Sequence, residues 1–268
     1  MTACWDGVTL EQREQLGAYR DLLLDSNRKF NLTALREADS IDNRLIAESL
    51  RLLPFLPPPL VIQSPVILSR SEGSLVADNQ PQRRHAAPND VMIRTQLPTL
   101  RAVDIGSGAG IPGIPLAIAR PDIDFTLIEA TGKKVRFLEL VASAIGLGNV
   151  TPLHQRAEIA AHDPALREQN DLVVARAVTQ LAALAELTLP FLKIGGRALL
   201  PKGEQLDDEL NRAYTAIDLL GGTLVSADLL PPISCCGVTR LVILDKIGPS
   251  IVRYPRRPGI PEHDPLGG

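Results

Sequence analysis

The stretch VDIGSGAGIPGIP at residues 103–115 sets Gly106, Gly108, Gly110 and Gly113 behind a short apolar run that ends around Asp104. Glycine lacks a Cβ and reaches positive φ at little cost, so such a loop lets a ligand lie close to the backbone. A tight turn without a ligand needs only one or two glycines. Four at this spacing, after an acidic strand end, point to a bound nucleotide-like molecule. A second acid, Glu129, ends the next apolar run, DFTLIE, where a carboxylate can hold ribose hydroxyls. R-A-E at 156–158 follows a third such run, and Arg176 stands just past a fourth, DLVVA. An arginine fork there can hold a base edge or a phosphate.

These residues need elements to position them. Strands are predicted at Leu100–Ile105, Asp124–Glu129, Asn149–Leu153, Asp171–Ala175 and Gly196–Leu200, then near Thr223–Leu229 and Arg240–Lys246. Helices are predicted at Pro112–Ala119, 132–146, Gln180–Leu192 and 204–220. Alternation of this kind implies parallel βαβ units in a doubly wound sheet. The last two strands have no helix between them, so one of them should run antiparallel. In an open sheet of this type ligands bind at the carboxyl ends of the strands, where the glycine loop falls.

Ahead of the sheet, residues 8–25 carry apolar positions near helical spacing, with Thr9 and Gln12 able to form a capping box. Asn31, Leu32 and Thr33 break that helix. A second helix is predicted over 39–53, capped by Asp39 or Ser40, with Ile41, Leu45, Ile46, Ser49, Leu52 and Leu53 as its mostly apolar stripe; Pro54 and Pro57–Pro59 end it. The chain thus divides into an N-terminal helical extension (1–60), a low-complexity insertion (61–95), a core (96–248) and a basic, proline-rich tail (249–268) that is expected to be extended. The insertion, rich in Ser, Pro, Asn, Gln and Arg, reads as a disordered linker, and its deletion should leave fold and cofactor binding intact.

Composition narrows the functions available. Aromatic residues make up 3% of the chain, which argues against a stacking platform for single strands. The net charge of -3 gives no global basic signature, so any nucleic-acid contact rests on local patches. Cys4, Cys235 and Cys236 have no metal-ligand spacing and read as reduced thiols of a cytoplasmic protein. No metal site, membrane span or signal peptide is expected.

Two cofactor classes fit the loop. Gly108-x-Gly110-x-x-Gly113 satisfies the dinucleotide fingerprint, so a nicotinamide-dependent oxidoreductase is one reading. Counted from Gly106, however, that fingerprint requires glycine where Ile111 stands. The antiparallel final pair and the acid of R-A-E also favour S-adenosylmethionine. A non-catalytic cofactor- or RNA-binding module is a third reading.

The combination NLTAL (31–35), R-x-x-x-x-S-L (44–50), DIGSGAGIPGIPLAIARPD (104–122), E-x-x-x-KK-x-x-FL (129–138), RAE (156–158), ARAV (175–178), L-P-x-x-K-x-GG (189–196) and YPRRPGIP (254–261) closely resembles the bacterial ribosomal small-subunit RNA methyltransferase G family, also called glucose-inhibited division protein B. The resemblance covers nearly the whole chain outside 61–95. It implies an α/β fold, a class I S-adenosylmethionine-dependent methyltransferase (Rossmann-like) sheet with an antiparallel last strand and an N-terminal helical extension. It implies methylation of guanine N7 in the decoding-region loop of 16S ribosomal RNA. By position, Asp104, Gly106, Gly108, Gly110, Ile111 and Glu129 would form the cofactor site. Ala157 and Glu158 would contact adenine, and Arg176 would be the catalytic residue, reaching cofactor or target. Where the family's second helix usually reads H-x-L-D-S, this chain has Leu45 and Glu48.

The inventory suits N7 chemistry. Guanine N7 has an in-plane lone pair and no proton to lose, so the reaction needs alignment more than a general base. The [DNS]-P-P-[FYW] motif of amino-group methylation is absent after the fourth strand, and no cysteine lies near the fourth or fifth strand for pyrimidine C5 chemistry. Lys202, Arg240, Arg253, Arg256 and Arg257 are expected to clamp RNA phosphates. Asn31 joins them, with Thr33, as a turn that closes over the site. Lys133, Lys134 and Arg136 read as a solvated helix face. The partner implied is small-subunit ribosomal RNA or its particle, met by a monomer.

Overall fold

The computed structural model describes residues 5, 7–59, 99–204, 206–231 and 237–267. The predicted insertion at 61–95 and the three cysteines lie outside the described residues. Helix α1 spans Leu10–Phe30. It begins with the predicted box: Gln12 N–H donates to Thr9 Oγ1 at 3.3 Å, and Thr9 N–H donates to Gln12 Oε1 at 2.9 Å. Two N–H groups that helix geometry leaves unpaired are thereby satisfied. The same Gln12 donates from Nε2 to the carbonyls of Ile118 and Ala119, which ties the extension to the core. Asn31, at φ 49°, ends the helix.

The second helix departs from the prediction. α2 covers only Ala38–Ile41, a π-helical stretch runs Asp42–Ala47, α3 is Glu48–Leu50, and a 3-10 turn follows at Leu53–Phe55. Neither Asp39 nor Ser40 caps it; Glu37 holds the N-cap position without a side-chain bond. Of the predicted stripe, Ile41, Ile46, Ser49 and Leu52 are buried. Asp42 is drawn in beside it by Arg20, whose Nη1 lies 3.1 Å from Asp42 Oδ2. Single π turns inside a helix recur at functional sites because they redirect the side chains that follow; here the next residue is Glu48.

The core then alternates strand and helix: β1 Leu100–Ile105, α4 Gly113–Ala119, β2 Ile123–Glu129, α5 Gly132–Ala144, β3 Val150–His154, α6 Ala157–Ala160, β4 Asn170–Ala175, α7 Leu181–Thr188, β5 Leu192–Lys202, α8 Asp207–Leu219, β6 Gly222–Leu229 and β7 Arg240–Lys246. The strands form one sheet in the order β3-β2-β1-β4-β5-β7-β6. β1 to β5 pair in parallel, and β7 runs antiparallel to both β5 and β6, as expected of the class I methyltransferase sheet. Side chains alternate across it with period two. Ala102, Leu172 and Val174 face a core shared with α1, α4 and α5, whereas Val103, Val173 and Ala175 face one shared with α7 and α8. The order reverses between β1 and β4, which opens the crevice where such folds bind ligands.

The tail is not extended as predicted. It makes turns and a short helix, α9, Ile260–His263. The reason is side-chain anchorage from the core. Arg167 donates to the carbonyls of Tyr254, Ser250 and Ile251 at 2.8, 3.2 and 3.2 Å, and the Tyr254 ring is buried. Among the described residues no helix is long and apolar enough to cross a membrane.

Candidate active site

β1 delivers Asp104 to the base of the glycine loop. Its carboxylate turns inward, fully buried, and Oδ2 accepts the Gly113 N–H at 3.0 Å. Only glycine fits at 113: an added Cβ would lie 2.6 Å from Asp104 Oδ2 and 2.5 Å from Leu127 Cδ2. Asp104 Oδ1 has no partner, and burial pushes this carboxyl up to about 7. The loop is braced from the other side by Tyr19, whose hydroxyl donates to the Ala109 carbonyl at 2.7 Å. Ile111 packs into the core. Asp104 and Ile111 therefore shape the loop from behind.

The open side of the loop belongs to Gly106 and Glu129. Gly106 donates to the Ile128 carbonyl at 2.9 Å and sits at φ +66°; a Cβ there would stand 3.0 Å from Val178 Cγ2. Glu129 accepts the Gly108 N–H on Oε2 at 3.0 Å and the Thr131 N–H on Oε1 at 2.8 Å, so its carboxylate is held at the end of β2. Between them opens a cleft of about 140 Å³, lined by Gly106, Glu129, Ala130, Ala157, Glu158 and Val178, and on its outer wall by Pro261 and Glu262 of α9. Glu158 Oε1 accepts the Gly259 N–H at 2.8 Å, which fastens the tail to this wall. An acid at the strand end, a glycine whose Cβ would narrow the cleft, and a small residue at 157 are a donor set that fits an adenosyl group. Of the predicted cofactor residues, the cleft thus brings together Gly106, Glu129, Ala157 and Glu158. Gly108 serves by anchoring Glu129.

A second cavity, of about 260 Å³, lies across the turn that follows β4. Glu48, Arg176, Ala177, Pro201, Lys202 and Thr239 line it. Arg176 Nη2 donates to the Arg44 carbonyl at 2.9 Å and to Glu48 Oε2, while its Nη1 is buried without a partner. Thr239 Oγ1 donates to Glu48 Oε1 at 2.5 Å. The turn itself is strained, with Ala177 at φ +53°. Arg176 and Ala177 face this cavity, whereas Val178 and Thr179 face the glycine-loop cleft, so residues 176–179 divide the two spaces.

The predicted RNA contacts fall in several places. Lys202 joins Arg176 at the second cavity, where its Nζ donates to the Thr179 carbonyl at 2.9 Å and lies 2.7 Å from Glu209. Arg240 sits opposite it in the β5–β7 register and pairs with Asp207 at 2.7 Å. Arg256 grips Glu186: Nε and Nη2 donate to the two oxygens of that fully buried carboxylate at 3.0 and 2.8 Å, and its backbone N–H donates as well, at 2.7 Å. Arg253 and Arg257 are exposed and line a surface groove of about 290 Å³ beside Glu158 and His162. Asn31 accepts from Arg36 Nη2 at 2.8 Å and lies among the described residues lining neither cavity. Residues that sequence reasoning did not assign to the site include Ala130, Ala177, Val178, Pro201, Thr239, Pro261, Glu262 and, as a lining group, Glu48. Glu48 carried a signal as a departure within a motif, and Pro261 as the last residue of YPRRPGIP; Thr239 and Glu262 carried none.

Comparison with known proteins agrees with this geometry. A family model described as rRNA small subunit methyltransferase G matches residues 90–230. The ribosomal RNA small subunit methyltransferase G of Roseiflexus sp. (strain RS-1) is 37% identical over 264 residues, spanning 97% of this chain and 95% of the relative. That of Chloroflexus aggregans is 37% identical over 269 residues, spanning 99% and 95%. That of Roseiflexus castenholzii reaches 46% over 168 residues, 62% of this chain and 70% of its own length. Full-length relatives at this identity, on a sheet built as the motifs require, leave one assignment: the chain belongs to the rRNA small subunit methyltransferase G family.

Proposed function

We propose that this chain methylates N7 of a guanine in the decoding region of small-subunit ribosomal RNA, with S-adenosylmethionine as donor. The observation that carries the reading is the pair of spaces meeting at residues 176–179. One suits an adenosyl group; the other is open and lined by Glu48 of the N-terminal extension, Arg176 and Ala177 just past β4, Pro201 and Lys202 of β5, and Thr239 just before β7. When bound, S-adenosylmethionine supplies a methyl group on a positively charged sulfur. Glu129 holds ribose hydroxyls, Ala157 and Glu158 border the adenine, and Gly106 lets the ligand approach the backbone. Arg176 stands at the acceptor side. The acceptor nitrogen has no proton to lose, so a site without a general base is adequate, and orientation accounts for most of the rate.

The RNA is held by contacts that position without reading sequence. Lys202 supplies them at the second cavity, Arg240 opposite it in the β5–β7 register, and the exposed Arg253 and Arg257 along the tail groove. The protein acts as a cytoplasmic monomer. The test is methyl transfer to small ribosomal subunits from a strain lacking this activity, followed by mapping of modified nucleosides by mass spectrometry. One N7-methylguanosine in the decoding region is expected. A methyl group on any other atom, or none, refutes the reading.

A further inference from the structure

An arginine fork reads guanine by donating to O6 and N7. That mode is closed to an enzyme that alkylates N7, because the donor would occupy the lone pair that must attack. The base has to be held by its other edge, where N1–H and the N2 amino group are both donors. A carboxylate is the complementary partner, and one carboxylate faces the second cavity: Glu48. Building on the function proposed above, we infer that Glu48 reads the N1–H and N2–H edge of the target guanine, and that Arg176 is a positioning residue that fixes Glu48.

The contacts of Glu48 support this role. Arg176 donates to Oε2 and Thr239 to Oε1, one bond to each oxygen. A carboxylate oxygen accepts two, so each keeps one site open. The two pins flank different strands, Arg176 just past β4 and Thr239 just before β7, and the Arg44 carbonyl holds Arg176 from behind, so the group is preorganised. The π-helical stretch ends at Ala47, immediately before Glu48. Adenine is rejected, since its N1 is an acceptor and would face the carboxylate lone pairs.

The arrangement also acts on the rate. As the bond from N7 to the methyl carbon forms, the methyl–sulfur bond breaks with its electron pair left on sulfur, and the positive charge passes to the guanine. N1–H becomes more acidic as that charge grows. Its hydrogen bond to Glu48 therefore strengthens toward the transition state, the condition under which an interaction accelerates a reaction.

The experiment compares small subunits carrying guanine or inosine at the position that the wild-type protein methylates. Inosine keeps N7 and N1–H and lacks the N2 amino group. Formation of N7-methylguanosine by the wild type is read first, and its absence overturns the function rather than the role of Glu48 within it. Given that product, the wild type should prefer guanine by roughly 10- to 100-fold in kcat/KM, the worth of one hydrogen bond to a charged group. It should also bind the guanine subunit more tightly without cofactor. In Glu48→Gln, whose amide donates where it should accept, both preferences should collapse toward one. Glu48→Asp, which keeps the carboxylate, should retain them in part. Equal preferences in wild type and Glu48→Gln overturn the inference and leave Glu48 as a brace for Arg176. If Glu48→Gln does not fold, Glu48→Ala, which removes the carboxylate without adding a donor, is measured instead; an unchanged guanine preference there is equally fatal.

Discussion

The pairing of Arg256 with Glu186 separates two roles that sequence and structure give this arginine. The sequence groups it with phosphate-binding residues; the structure sets its guanidinium on a carboxylate with no solvent exposure. Arg256→Ala would strand that charge inside the protein. Breaking a buried pair by removing one partner costs about 3–5 kcal/mol. The lower end applies, because Arg256 keeps a quarter of its side chain in solvent. A loss of about 3 kcal/mol corresponds to a fall of roughly 5 °C in melting temperature for a chain of this size. Urea unfolding followed by circular dichroism at neutral pH measures it. Adding Glu186→Gln to Arg256→Ala should recover part of the loss, since the stranded charge is then gone. A stability within about 0.5 kcal/mol of wild type, joined to a salt dependence of RNA binding shallower by about one phosphate contact, would refute the structural role and restore the RNA clamp.

Further outcomes follow from the same geometry. Gly106→Ala should leave the sheet folded, at a backbone cost of about 1–2 kcal/mol for positive φ, but lower S-adenosylmethionine affinity at least about tenfold in titration calorimetry, because its Cβ meets Val178 in the cleft; unchanged affinity would move the cofactor elsewhere. Asp104 is raised from 3.8 to about 7 by burial. The folded state therefore keeps its proton where the unfolded chain has lost it, and stability falls as pH rises from about 4 to about 7, by about 4 kcal/mol in all. Asp104→Asn should lack that component, so the difference between the two proteins' urea-unfolding free energies should change across this window; a constant difference would show that Asp104 ionises freely.

How much of this was legible in the chain depends on range. The Thr9–Gln12 box and the glycine loop follow from residues that meet within a few positions, and both stood in the sequence. So did the alternation of strands and helices, because the buried strands are short continuous apolar runs, and the antiparallel pairing at the end, because no helix separates the last two strands. The π-helical stretch did not. Ile41, Leu45, Ile46 and Ser49 satisfy an α-helical period equally well, and what displaces the turn is the core that it meets. The tail was misread for a related cause. Proline and arginine suggested an extended segment, but its turns are fixed by Arg167, Glu158 and Glu186, which lie 87, 101 and 70 residues away from their partners. The Glu48–Arg176 pair spans 128 residues. No local pattern marks such pairs, so the sequence could name Arg176, Arg256 and Glu158 as site residues but not the partners they meet.

The wall that α9 gives the glycine-loop cleft has a consequence for biosynthesis. The loop is made early, at residues 104–113, and its brace Tyr19 earlier still, yet Pro261 and Glu262 border the same cleft. A nascent chain that has displayed the whole seven-stranded sheet still lacks this side of the pocket. Cofactor capture should therefore lag behind folding of the sheet during translation, and a ribosome halted after β7 would carry a recognisable fold with an unfinished site.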